Sequence, residues 1–148
     1  MKIQFLGATE MVTGSMFYIT IGEKNFLVDC GLFQGNEETK KLNLKPLDFD
    51  PKDLDFIILT HAHIDHSGRL PLIVKNGFMG KIYSTKPTFE LCEIMLVDSA
   101  FIQENDVEWE NRSRKRSGKK PLEPLYTIDD ARAALNMFDG YLYGQRIE

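Results

Sequence analysis

Phe56-Ile57-Ile58-Leu59-Thr60-His61-Ala62-His63-Ile64-Asp65-His66-Ser67-Gly68 is the stretch on which the fold turns. Five residues of apolar, β-prone chain run straight into a cluster holding all three histidines of the protein. The apolar half reads as a buried strand over 56–60. After it, Leu70, Leu72, Ile73 and Val74 read as a helix that stops at Asn76-Gly77, a strong C-terminal signal. Histidines and a carboxylate at the C-terminal end of a core strand lie where open α/β sheets place their sites.

Working outward, short strands and helices alternate. Lys2–Leu6, Phe17–Ile21 and Asn25–Asp29 read as strands, the last two joined by a hairpin turn at Gly22-Glu23-Lys24. Phe26-Leu27-Val28 is continuously apolar, as in a strand covered on both faces, and it ends in Asp29-Cys30-Gly31. Residues 34–53 are polar, contain Pro46 and Pro51, and read as loop with one helical turn. Lys81–Thr85 reads as a strand. A long helix starts at Pro87 and carries Leu91, Ile94, Met95, Val97, Phe101 and Ile102. Thr127-Ile128-Asp129-Asp130 matches a helix-start capping pattern, with Ala131, Ala134, Leu135 and Phe138 at helical spacing behind it. Residues 140–148 read as the start of another strand. This alternation points to a layered α/β architecture.

Composition sets the bounds. The chain has 148 residues, of which 43% are hydrophobic and 27% charged, as in a soluble globular domain of ordinary size. Its net charge of −4 argues against coating nucleic acid by bulk charge. No apolar run approaches a membrane span or a signal segment, so no membrane partner is expected. Cys30 and Cys92 form no CxxC pair and read as buried reduced thiols, which favours the cytoplasm.

The chemistry lies in His61, His63, Asp65 and His66. In extended chain, residues two apart point the same way, so His61 and His63 can converge on one ion. The turn into the next helix aims Asp65 and His66 at a different point. Imidazole with carboxylate suits Zn2+, with Mn2+ and Fe2+ as the alternatives. The expectation is two adjacent metals driving hydrolysis of an ester, amide or phosphodiester. Asp29 ends a neighbouring strand; it reads either as a hydrogen-bond partner that fixes a ligand imidazole or as a cap on its own turn.

Thr60–Gly68 resembles the signature of the metallo-beta-lactamase superfamily, with Asp29 at its upstream acidic position. Leu6-Gly7-Ala8-Thr9-Glu10-Met11-Val12-Thr13-Gly14-Ser15, Asp29-Cys30-Gly31-Leu32-Phe33-Gln34-Gly35 and His66-Ser67-Gly68-Arg69-Leu70-Pro71 resemble its beta-CASP branch of RNA-processing nucleases. Leu125-Tyr126-Thr127 and Tyr143-Gly144 fit that branch too. The resemblance implies an αββα sandwich and zinc-dependent hydrolysis of RNA phosphodiesters. His61 and His63 would hold one zinc, and Asp65 and His66 the other. Asp65 would also orient the attacking water. The family's later ligands, a third histidine and a bridging aspartate, have no counterpart in this sequence. Residues 1–148 are therefore expected to be the N-terminal part of such a domain, without its cap domain and C-terminal half. Four donors shared between two metals leave each one short, so weak metal binding and little turnover are expected. Completion would come from a C-terminal portion or a homodimer. Two other functions share the motif: hydrolysis of a small acyl substrate (thioester, lactone or lactam), and a non-catalytic metal-binding module.

In Arg112-Ser113-Arg114-Lys115-Arg116-Ser117-Gly118-Lys119-Lys120, six of nine residues are basic. Such a run is more often a solvated loop between helices than a contact to an RNA backbone.

Overall fold

The computed structural model describes residues 1–147. Six strands form one mixed sheet in sequence order: β1 (Lys2–Phe5), β2 (Phe17–Ile21), β3 (Lys24–Val28), β4 (Phe56–Ile58), β5 (Lys81–Thr85) and β6 (Phe138–Tyr141). The first three are antiparallel, and β3 to β6 run parallel. The helices are α1 (Glu37–Lys41), α2 (Ile64–Ser67), α3 (Leu70–Lys75), α4 (Lys86–Arg116) and α5 (Ile128–Leu135). The α/β class expected from the alternating pattern is what the chain adopts. Because β3, β4 and β5 are parallel, their C-terminal ends lie along one rim, and the histidine segment leaves from it.

Register decides the core. Leu27, Ile57 and Ile82 sit side by side on β3, β4 and β5 and are fully buried. They share one cluster with Leu70 and Ile73 of α3, Cys92, Leu96 and Ala100 of α4, and Ala131 of α5. Tyr126 anchors the entry to α5, its hydroxyl 2.9 Å from Ser99 Oγ. At Thr127 the expected capping box is present in full. Burial pushes the thiols of Cys30 and Cys92 up to about 12 and about 11, consistent with inert core cysteines.

On the other face of the sheet the alternate residues are also apolar. Phe5 packs edge-on to Phe17, Phe26 stacks on Phe56, and Phe56 and Tyr141 flank Tyr83. No helix covers this face among the described residues. Ile3, Phe5 and Ile21 are exposed, and Phe17, Ile19, Phe56 and Ile58 are half-buried. The described residues thus form one layer of helices on one sheet.

Several expectations are corrected. β4 stops at Ile58 rather than Thr60, because the Thr60 amide donates to the Asp29 carboxylate instead of a neighbouring strand. It is also less buried than its sequence suggests, since Phe56 and Ile58 face the uncovered side. Phe138 belongs to β6, not α5: α5 ends at Leu135, and Phe138 pairs with Ile82 and stacks on Phe89. The final strand accordingly starts earlier than 140 and ends at Tyr141, with Glu148 outside the described residues. Helix α4 runs through Arg116, so the first half of the basic run is helical.

An uncovered apolar face predicts strong binding of a hydrophobic dye such as ANS. Replacing Phe5 with Lys should cut that fluorescence while changing stability by no more than about 0.5 kcal/mol, as expected at an exposed position. Unchanged dye binding in F5K would place the sticky surface elsewhere.

Candidate metal centre

Asp29 follows β3 with a backbone φ of 61°, in the left-handed region that aspartate tolerates better than most residues. This twist turns its side chain across the end of β4. There Oδ1 accepts from the Thr60 backbone amide at 2.8 Å, and both carboxylate oxygens lie 2.9 Å from Thr60 Oγ1. Oδ2 lies 2.8 Å from His66 Nδ1. With the carboxylate accepting, Nδ1 carries the proton and Nε2 of His66 is left with its lone pair free. Thr60 Oγ1, its own proton given to Asp29, can accept from His61 Nδ1, 3.0 Å away. Both imidazoles would then present Nε2 as a ligand atom.

A second set of bonds fixes the backbone carrying these groups. Cys30 N–H donates to the His66 carbonyl at 2.7 Å, and Leu32 N–H to that of Ile64 at 3.0 Å. Ser15 N–H donates to the Asp65 carbonyl, and Gly31 N–H returns a bond to Ser15. Gly31 lies so close to this segment that a Cβ would fall 1.5 Å from the Asp65 carbonyl oxygen. Arg69, buried beneath, donates from Nε to the Gly31 carbonyl at 2.7 Å, and its guanidinium lies over the Phe33 ring. Ser67 Oγ donates to the carbonyls of Ala62 and His63, closing the turn into α2.

The result brings the sequence-derived residues together. The His61 ring centroid lies 4.7 Å from that of His63 and 4.1 Å from that of His66. His66 Nε2 faces Asp65 Oδ2 at 3.7 Å. The three rings form one cluster with His61 at its middle. Burial first, then the neighbouring His66 and His63 rings, hold the His61 imidazole below its ordinary pKa, so it is neutral at pH 7. The donor set fits a borderline divalent metal such as zinc. Among the described residues, however, no three such side chains already converge on a single point.

Sequence reasoning did not give Thr60 a role, although its position between a strand end and His61 was a usable signal. The parts of Ser15, Gly31 and Arg69 depend on close approach of segments far apart in the chain.

Residues 10–140 match the model of the metallo-beta-lactamase superfamily. The chain belongs to that superfamily. Among its relatives within the metallo-beta-lactamase superfamily is "Ribonuclease TTHA0252" of Thermus thermophilus, 44% identical over 73% of this chain and 26% of the relative. "Transcription termination factor FttA" of Methanococcus maripaludis is 31% identical over 99% of this chain and 24% of its own length. The "Integrator complex subunit 11 homolog" of Dictyostelium discoideum is 37% identical over 66% of this chain and 14% of its own. The chain thus spans about a quarter or less of these relatives. Among solved structures, the subclass B3 metallo-beta-lactamase BJP-1 of Bradyrhizobium japonicum aligns with a TM-score of 0.43 at 22% identity, over 62% of this chain and 33% of that one.

Two substitutions test the architecture. Gly31→Ala should destabilise the fold by at least about 3 kcal/mol, because backbone meets the new methyl; urea unfolding would show a lower midpoint at unchanged slope. Asp29→Asn preserves shape but leaves a single acceptor oxygen where the Thr60 amide, the Thr60 hydroxyl and His66 Nδ1–H now share two. Zinc affinity by chelator competition should fall about 10–100-fold with the circular dichroism unchanged. Wild-type affinity in D29N would show that Asp29 serves only its turn.

Proposed function

We propose that this chain carries the metal-binding half of a zinc-dependent hydrolase of RNA phosphodiesters, in the beta-CASP branch of the superfamily. The observation that carries this reading is the Asp29–Thr60–His61/His66 network, which leaves imidazole ligand atoms beside the Asp65 carboxylate. The names of the relatives, a ribonuclease, termination factors and Integrator subunits, favour RNA over small acyl substrates.

In this reading His61 and His63 hold one metal and Asp65 and His66 the other. Mn2+ and Fe2+ are the alternatives to Zn2+. Divalent metal held by these residues would supply Lewis acidity toward the phosphodiester and lower the pKa of water. Asp65 accepts a hydrogen bond from the attacking water and orients its lone pair toward phosphorus. Asp29 is a positioning residue: through Nδ1 it holds the His66 ring and its tautomer, and through Thr60 it steadies His61. The low pKa of His61 keeps that ring neutral and able to ligate.

Four donors are few for two metals, since a catalytic zinc usually takes three protein ligands. Further donors would come from a segment beyond these residues or from a second copy of the chain docked on the uncovered sheet face. The chain by itself should therefore bind zinc weakly and turn over slowly.

The test is a panel of end-labelled RNA, thioester, lactone and lactam substrates, with added zinc, high protein concentration and long incubation. We expect residual cleavage of RNA only, abolished by chelator, by His63→Ala and by Asp65→Asn. Acyl hydrolysis without RNA cleavage would overturn the substrate assignment. Fast turnover by a chain shown to be monomeric would overturn the ligand shortage.

A further inference from the structure

Helix α4 is 31 residues long, yet it serves the core only in its first half. Its buried residues, Thr88, Cys92, Leu96 and Ala100, recur every fourth position and then stop. From Phe101 to Arg116 the helix runs on for roughly 24 Å with no fully buried residue; Gln103, Val107, Asn111 and Arg114 are half-buried on the side where the returning segment bonds to Asn111 and Arg114. The opposite side, which carries Trp109 and Arg112, is left to solvent.

That surface combines an aromatic with cations. Trp109 is 74% exposed. Arg112 and Arg116 follow it at three and seven positions, which places all three on one face. Arg112 is tied only to Glu108, an exposed pair that is easily exchanged. Arg116, Lys115, Lys119 and Lys120 have no ion-pair partner among the described residues. The chain then folds back along the helix instead of trailing away. Asn111 makes both side-chain bonds to the Leu122 backbone, Lys119 N–H donates to the Arg114 carbonyl, and Arg114 Nε donates to the Lys120 carbonyl at 2.7 Å. Lys119 and Lys120 are thereby clipped beside the last helical turn on its Asn111–Arg114 side, and they add to the positive field of the helix end on a chain of net charge −4.

The same face leads back to the histidines. Ile102, two turns before Trp109, lines with Met95, Leu32, Gln34 and Ile64 a groove of about 350 Å³, and Ile64 sits between His63 and Asp65 in the ligand segment.

We propose that the end of α4 is a grip for single-stranded RNA, in which an unpaired base stacks on the Trp109 indole while Arg112 and Arg116 hold the flanking phosphates. This rests on reading the substrate as RNA and adds where the strand is held. The cations call for a polyanion, and an exposed indole face recognises a base that is free of a duplex stack. A protein partner would use the tryptophan but has no need for two arginines on the same face.

Trp109 is the only tryptophan in the chain, so intrinsic emission reports on it alone. The experiment titrates the chain, in chelator and without metal, with an unstructured RNA of about 16 nucleotides. In parallel, anisotropy of the labelled RNA measures total binding. Quenching of the emission is expected. Trp109→Ala should weaken binding about tenfold. In the Arg112→Gln/Arg116→Gln variant, the slope of log K against log salt should be shallower by about 1.4, two phosphates at about 0.7 each. Three results overturn the grip: RNA binding with silent Trp109 emission, equal quenching by polyphosphate, or an emission change that follows protein concentration alone, which marks a protein interface. The hydrolase reading stands or falls separately. Quenching without zinc-dependent RNA cleavage removes that reading and leaves the grip, whereas cleavage with a silent tryptophan does the reverse.

Discussion

At the end of β3 the chain turns through a left-handed residue, and the carboxylate of Asp29 is thrown across the tip of β4. A buried carboxylate is costly unless its lone pairs are filled, and here they are filled by the Thr60 amide, the Thr60 hydroxyl and the His66 ring. The same bonds end β4, aim His66 and, through the threonine hydroxyl, reach His61. Conformational strain at one backbone position is offset by hydrogen bonds that also define the site. This one carboxylate therefore couples the end of β4 to the orientation of two histidines.

Around that carboxylate the backbone of 30–32 is stitched to that of 64–66, with Ser15 inserted as a third strand of contacts. The fit leaves no room for a side chain at position 31. Arg69 closes the arrangement from below, its charge spread over a backbone carbonyl and an aromatic face. The histidine segment is therefore held through backbone bonds to Ser15 and to residues 30–32, neither of which belongs to a helix or strand. Such rigidity is what a metal site needs, because donors that must reorganise on binding lose affinity.

The helices and the sheet divide the labour differently. One face of the sheet and the first half of α4 make the core. The opposite sheet face and the outward face of α4 remain open, and both are apolar or aromatic. The sheet face is a flat run of ring contacts suited to another β-layer. The helix end is a narrow aromatic and basic surface suited to a polymer.

The elements with one clear period were readable in the sequence: β2, β5, the α3 stop at Asn76 and the capping box at Thr127. So were the ligand candidates, because three histidines and an aspartate within six positions have little purely structural purpose. Ambiguity arose where local signals agreed with two states. Phe138 suited helix spacing, yet pairing with Ile82 placed it in a strand; the apolar run at 56–60 hid the fact that one face lacks cover. By itself the sequence determined the α/β class, the donor types and the chemistry they favour, since these follow from residue identity and short-range spacing. Only the tertiary structure decided that Asp29 binds His66 through Nδ1, that Gly31 must be bare and that Lys119 and Lys120 join the end of α4. Each of these is a contact between segments that no local period connects, set by how the strands register and the chain folds back.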